Sequence, residues 1–300
     1  MSFSVKNALV GLPAAVLLVG VAGCSGPDQQ GQQLPKKDRA EWVMPLDDYI
    51  PDYWHLVDYA ENLAVVPCMS EAGYDWKVPW QDPDGGNGPS MNASERKLFN
   101  PSLAQDWGYH QAPRDDPSLP AWRAFVRETS AISQEEHDTL YSCLDTVRKK
   151  KLPALPGSAQ LPSSLEQAAY EAALQDKTVV KAAAKWHACM LPQGVADLPD
   201  SPEDMPSPSL RKQFSLDTVI TDDSDLAGPK VSPEEIKLAS ADAECRESSG
   251  WAAKLYDSEW RRHLTAVKEN ADALAVIKQQ IAKYKTEVLD VISANAPSAP

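Results

Sequence analysis

Within residues 51–66, Leu56, Tyr59 or Ala60, Leu63 and Val66 recur at intervals of three and four, with Asp58, Glu61 and Asn62 between them. A helix returns to the same face at that interval, so the stretch predicts an amphipathic helix. Pro51 suits its first turn, and Pro67 is expected to disturb its end. The same spacing returns at 176–190, where Asp176 is a cap and Val179, Ala183, Trp186 and Met190 form one stripe. Shorter helices are expected at 101–107, after an Asn100 cap and before Gly108, and at 121–128. From Trp251 onward, Trp260, Leu264, Val267, Ala271, Leu274, Ile281, Tyr284, Val288 and Val291 follow three-and-four spacing, with Lys278 interrupting. They predict one long amphipathic helix, or two with a break, that packs back along the body or projects to pair with a partner. Segments 152–162 and 191–209 hold too much Pro for long helices. The first reads as a linker and the second as a surface excursion. Few stretches alternate with period two, so the expected class is mostly α with little β.

The cysteines organise these helices. Cys68 and Cys189, 121 positions apart, each close a helical run and are each followed by Met and, at the fifth position, by Gly: Cys68-Met69 to Gly73, Cys189-Met190 to Gly194. Cys143 and Cys245 each lie inside a helix opened by a capping box, Ser133 to Glu136 in one case and Ser232 to Glu235 in the other. The order is Cys-Met helix, capped Cys helix, then both again. We read two diverged copies of one helical module, bridged Cys68–Cys143 and Cys189–Cys245. After the shared Gly the copies differ, with Tyr-Asp-Trp following Gly73 and Val-Ala-Asp following Gly194.

The first 23 residues change the picture by giving an address. After Lys6 an apolar run ends in Val21-Ala22-Gly23-Cys24, the pattern of a lipoprotein signal peptide. The run is too short for a spanning helix, which needs about 20 apolar residues, and Pro13 interrupts it. Acylated Cys24 would then hold the mature chain to the membrane, because two or more acyl chains anchor stably. Residues 24–40 read as a flexible tether. Residues 41–151 form an aromatic-rich N-terminal helical module, 152–163 a Pro-rich linker, 164–293 the C-terminal module with the long helix, and 294–300 a tail. The chain of 300 residues carries a net charge of -14, and Lys6 is the only charged residue before Cys24. So acidic a mature surface argues against a nucleic-acid partner. An even set of four cysteines beyond Cys24 fits an oxidising compartment.

Residues 44–80, 100–111 and 234–251 carry a resemblance. "MPLDDYIPDYWHLVDYAENLAVVPCMSEAGYDWKVPW", "NPSLAQDWGYHQ" and "EEIKLASADAECRESSGW" are similar to a group of uncharacterised secreted lipoproteins of actinobacteria. Those proteins begin with Pro-Leu-Asp-x-Tyr, repeat a Cys-Met-x3-Gly-aromatic element, and end in an Ala-Asp-x-x-Cys helix leading into a long helix. The resemblance implies an envelope location and paired cysteines, and it brings no catalytic residue. Segment 191–209 fits the pattern least, and Val195 stands where an aromatic is expected.

No chemistry stands out in the chain. His55, His110, His137, His187 and His263 are scattered, and an oxidised Cys189 removes the His187-Ala-Cys189 zinc option. The loop from Asp82 resembles a calcium loop, but Gly86, Asn87 and Ala93 occupy positions where a ligand, the Gly turn and the bidentate Glu belong. The acidic run 221–225 reads as a solvated loop. There is no nucleophile elbow, Ser-x-x-Lys pair or phosphate loop. The expectation is a chain that is not an enzyme and takes no cofactor or metal. It would sit on the outer face of the cytoplasmic membrane and dock another envelope protein. The alternative rests on residues 41–122, which hold six of the nine Trp and five of the nine Tyr. Those rings either fill a core or stack on cell-wall glycan, with Trp76 and Trp80 as the glycan platform.

Overall fold

The structure, a computed structural model, describes residues 34–85, 88–92, 94, 96–217 and 229–300. The signal segment and Cys24 lie outside the described residues, as do Gly86, Asn87, Ala93 and 221–225. Residues 35–300 form one compact unit. The described residues are built on α-helices: α1 (Trp54–Glu71), α2 (Pro101–Trp107), α3 (Leu119–Ser130), α4 (Gln134–Lys150), α5 (Leu161–Leu174), α6 (Lys177–Met190), α7 (Pro208–Gln213), α8 (Pro233–Ser248), α9 (Trp251–Glu269) and α10 (Ala271–Asn295). The described residues contain no strand, only an isolated bridge between Met91 and Lys97.

Four of the helices, α2, α4, α6 and α8, start at the caps read from the sequence. Asn100, Ser133, Asp176 and Ser232 accept from the backbone N–H of Leu103, Glu136, Thr178 and Glu235, each satisfying one of the first-turn donors a helix leaves open. α1 differs from its prediction at both ends. It begins at Trp54, so Pro51 lies ahead of it, and it runs through Pro67 to Glu71. Pro67 removes one backbone donor, yet the last turn is held by the bridge at Cys68 and by Met69, which is fully buried. α5 has no counterpart in the sequence-based reading. Its buried residues Ala169 and Ala173 are four apart but small, which leaves little apolar contrast.

Two bridges tie the helices together. Cys68 in α1 joins Cys143 in α4, and Cys189 in α6 joins Cys245 in α8, with Cα separations of 5.9 and 5.7 Å. Both are the predicted pairings. The repeated element now has a physical meaning. Its Cys bridges to the capped helix, its Met is fully buried one residue on, and its Gly takes a left-handed backbone, φ 90° at Gly73 and 73° at Gly194. Glycine adopts that conformation without the Cβ clash other residues meet; Gly73 lies just past the end of α1, and Gly194 closes the 3₁₀ turn Leu191–Gln193 that follows α6.

The largest core lies among α1, α3, α4 and α10. α10 packs back along α1, as α4 does from another side, and Tyr53 Oη donates to the Ile281 carbonyl at 2.8 Å. The predicted terminal stripe appears as two helices that meet at Asn270. Ile277 and Ile292 join Leu274, Ile281, Tyr284 and Val288 inside. Leu264 is half-buried, and His263 takes the inward place. A second set of contacts joins α6 to α8 and α9, α5 to α9, and α2 to α8. Residues 152–163 hold a 3₁₀ turn (Gly157–Gln160) and the start of α5, and Leu152 is fully buried in the first core. The segment 191–209 is less of an excursion than expected: Pro202 and Ser207 are buried, and the Pro202 carbonyl accepts from Arg246 at 2.6 Å.

Candidate functional site

Of the two readings of the aromatic rings, Trp76 follows the one in which they fill a core. Trp76 is 6% exposed and packs edge-on against Phe125 at 5.5 Å. Trp122 meets both Tyr59 and Phe125. The ring of Trp76 therefore belongs to the α1–α3 contact and offers no flat face to solvent, because the edge-on geometry that aromatic quadrupoles favour consumes it. Trp80 is half-buried, and the aromatic residues that stand out at the surface are Tyr141, 57% exposed, and Trp54, 43% exposed.

The structure assembles instead a charged cluster that local sequence did not announce. Glu259 and His263 occupy two successive inward turns of α9, and both are fully buried. Arg96 reaches Glu259 through two guanidinium nitrogens, at 3.0 and 2.8 Å, and lies 3.4 Å from Glu166 of α5. Its guanidinium also covers the ring of Tyr170 at 4.2 Å. Trp42 Nε1 donates to Glu259 at 2.9 Å, and His263 Nε2 stands 3.6 Å from the same carboxylate. Asp47, close by, accepts from the Met44 backbone and the Ser94 hydroxyl, each at 2.7 Å.

These carboxyls are tuned in opposite directions. Burial pushes Glu259 up, but His263, Arg96 and Trp42 together pull it below the ordinary carboxylate value. Glu166 and Asp47 stay above theirs, because burial outweighs the Arg96 charge beside Glu166 and the Met44 and Ser94 hydrogen bonds to Asp47. The arrangement ties residues 42–47, Ser94 and Arg96 to α5 and α9. A single removed partner would leave a buried charge uncompensated.

Beyond Arg96 opens a cleft of about 530 Å³, bounded by residues 39–42 and 96–102, α5 and the junction of α8 and α9. Trp42, Phe99, Tyr170 and Trp251 give it aromatic walls, and Arg39, Arg96, Lys97 and Arg246 also line it. Arg246 is held from behind by Asp242 at 2.9 Å and lies over Phe99 and Trp251. Asp242 also accepts from Trp186 Nε1 at 2.8 Å, so the wall of the cleft is joined to the second bridged pair of helices. A neighbouring contact fixes the end of α2. Glu235 accepts from the Tyr109 backbone at 2.9 Å and meets His110 Nδ1 at 3.2 Å.

Among the described residues no group of three or more His, Cys, Asp or Glu is placed to hold a metal ion, and Cys189 beside His187 is committed to its bridge. No helix among the described residues is long and apolar enough to cross a membrane. The cluster escaped sequence reading because its members lie 70 and 163 positions from Arg96. One signal was present: Glu259 and His263 sit in step with Leu255 and Val267 on a mostly apolar face. No protein-family model matches this chain, nor does any curated protein or solved structure.

Proposed function

We propose that this chain is a non-catalytic lipoprotein, held by Cys24 on the outer face of the cytoplasmic membrane, whose bridged helical body docks another envelope protein. The lipobox at 21–24 and the polar tether that follows support the anchor. Two bridges between helices suit an oxidising compartment. The observation that carries docking over glycan stacking is the fate of the aromatic rings. Trp76, Trp122, Tyr59 and Phe125 interlock inside the body, where they fill space in place of presenting sugar-binding faces.

Two arms test the reading in cells that carry the full-length chain. A photo-crosslinking residue at position 54, 141 or 191, all exposed, is expected to give a discrete heavier adduct with another envelope protein, whereas the same residue at buried position 59 gives none. Co-sedimentation with purified peptidoglycan is expected to leave the protein in the supernatant. Pelleting that a Trp80→Ala variant loses would move the function to glycan binding.

A further inference from the structure

The geometry points to the cleft beside Arg96 as a binding site for an organic carboxylate that carries an apolar or aromatic body. The inference stands apart from membrane anchoring and from the docking partner, since it concerns the chemistry of one recess. Its volume, about 530 Å³, falls in the range of roughly 300–1,000 Å³ typical of small-molecule sites. The walls are mostly apolar, with Trp42, Phe99, Trp251 and Leu255 among them, as a site that grips a hydrophobic body requires.

The charges are distributed unevenly around that recess. Arg96 is paired with Glu259 and, at 3.4 Å, with Glu166, and Arg246 with Asp242; Glu259 and Asp242 are fully buried behind their partners. Arg39 pairs with Glu247 at the rim, at 2.7 Å. Lys97 is exposed and donates to the Tyr109 carbonyl at 2.5 Å. No carboxylate lies within ion-pair distance of its ammonium among the described residues. An ammonium has three donors, so a ligand carboxylate finds donors left over. Glu203 also lines the cleft, and its carboxylate bonds the Tyr170 hydroxyl. Four cationic side chains, Arg39, Arg96, Lys97 and Arg246, line the cleft against two carboxylates, Glu203 and Glu247, so the recess is cationic in its lining although the chain as a whole carries -14. Charge-assisted bonds to such groups are the strong ones, and the aromatic walls hold the remainder of the molecule.

The test is isothermal titration of the full-length chain in nanodiscs, with empty nanodiscs as the blank. The probes are 3-phenylpropionate and its uncharged amide, 3-phenylpropanamide. Saturable binding of the acid is expected, with the amide about tenfold weaker. An Arg39→Gln/Lys97→Gln variant, whose fold is checked by circular dichroism, is expected to weaken the acid by at least about tenfold and to leave the amide unchanged. A tripeptide Gly-Gly-Phe with a free C-terminus distinguishes the sources. Tighter binding than the simple acid assigns the site to a chain terminus, and weaker binding assigns it to a free small acid. Equal binding of acid and amide, absence of saturable heat with the acid, or an unchanged affinity in the variant would overturn the inference. None of these results depends on whether the docking partner is found.

Discussion

Met69 and Met190 hold equivalent places in the two bridged pairs of helices. Each follows a bridged cysteine, each is fully buried, and each stands four residues before a glycine in the left-handed conformation. Met69 packs into the core of α1, α3, α4 and α10, and Met190 packs with Trp186 and Cys245. Met→Ala at either site is expected to cost about 2–5 kcal/mol, read as a shift of the urea midpoint. A loss under 1 kcal/mol at both would mean that these side chains do not anchor the helix ends.

The bridges close loops of 75 and 56 residues, and restricting the unfolded chain by loops of that size contributes about 4 kcal/mol each. Cys68→Ser/Cys143→Ser and Cys189→Ser/Cys245→Ser variants should each unfold at lower urea than the parent. The check is the same unfolding curve with and without reductant, since the parent under reductant should fall below either variant measured without it.

The glycines separate two costs of adding a methyl group. At Gly73 a Cβ would meet nothing within 4 Å, so Gly73→Ala pays only backbone strain of about 1–2 kcal/mol. At Gly108, with φ 56°, a Cβ would stand 2.5 Å from Glu235 Oε1 and 2.8 Å from Val231 Cγ1. Gly108→Ala should therefore cost more than Gly73→Ala and should loosen the Tyr109–Glu235 contact, which amide hydrogen exchange at Tyr109 would report.

Glu259 carries the cluster around Arg96. Glu259→Gln leaves the half-buried Arg96 guanidinium with Glu166 as its remaining carboxylate partner, and the expected loss is about 1–3 kcal/mol, measured by thermal or urea unfolding. An unchanged midpoint would contradict the view that this ion pair holds Arg96 and, through Trp42, the 42–47 segment to α9.

The cap of α6 gives a pH signature. Hydrogen bonds from the Thr178 hydroxyl and backbone, with help from Ser258, lower the Asp176 carboxyl from 3.8 to about 2. A carboxyl depressed on folding stabilises the protein when ionised, fully so above its unfolded value. That contribution is lost as pH falls from about 3.8 through about 2. Asp176→Asn keeps a capping side chain and removes the titration, so its stability should fall less steeply across that window than the parent's.

Local signals carried much of the fold. Caps at Asn100, Ser133, Asp176 and Ser232 and three-and-four spacing placed α2, α4, α6 and α8, because these depend on neighbours within a few residues. The cysteine pairing was legible because one element occurs twice. The Arg96 cluster was not legible, since it joins side chains from four distant stretches through tertiary contact alone. Trp76 stayed open between core and platform for a related reason: its surroundings are rich in Pro and Gly, while Phe125 of α3, far along the chain, supplies the surface that buries it. α1 ran through Pro67 because a bridge and a buried Met outweigh one missing backbone bond.

The most direct measurement is non-reducing peptide mapping, with mass analysis of the N-terminal peptide, on the full-length protein isolated from cell membranes. The expected result is Cys68 joined to Cys143, Cys189 joined to Cys245, and a mature N-terminus at Cys24 carrying acyl chains. Free thiols at the four positions, a Cys68–Cys189 peptide, or an unmodified Cys24 in an uncleaved chain would contradict a bridged helical body anchored outside the membrane.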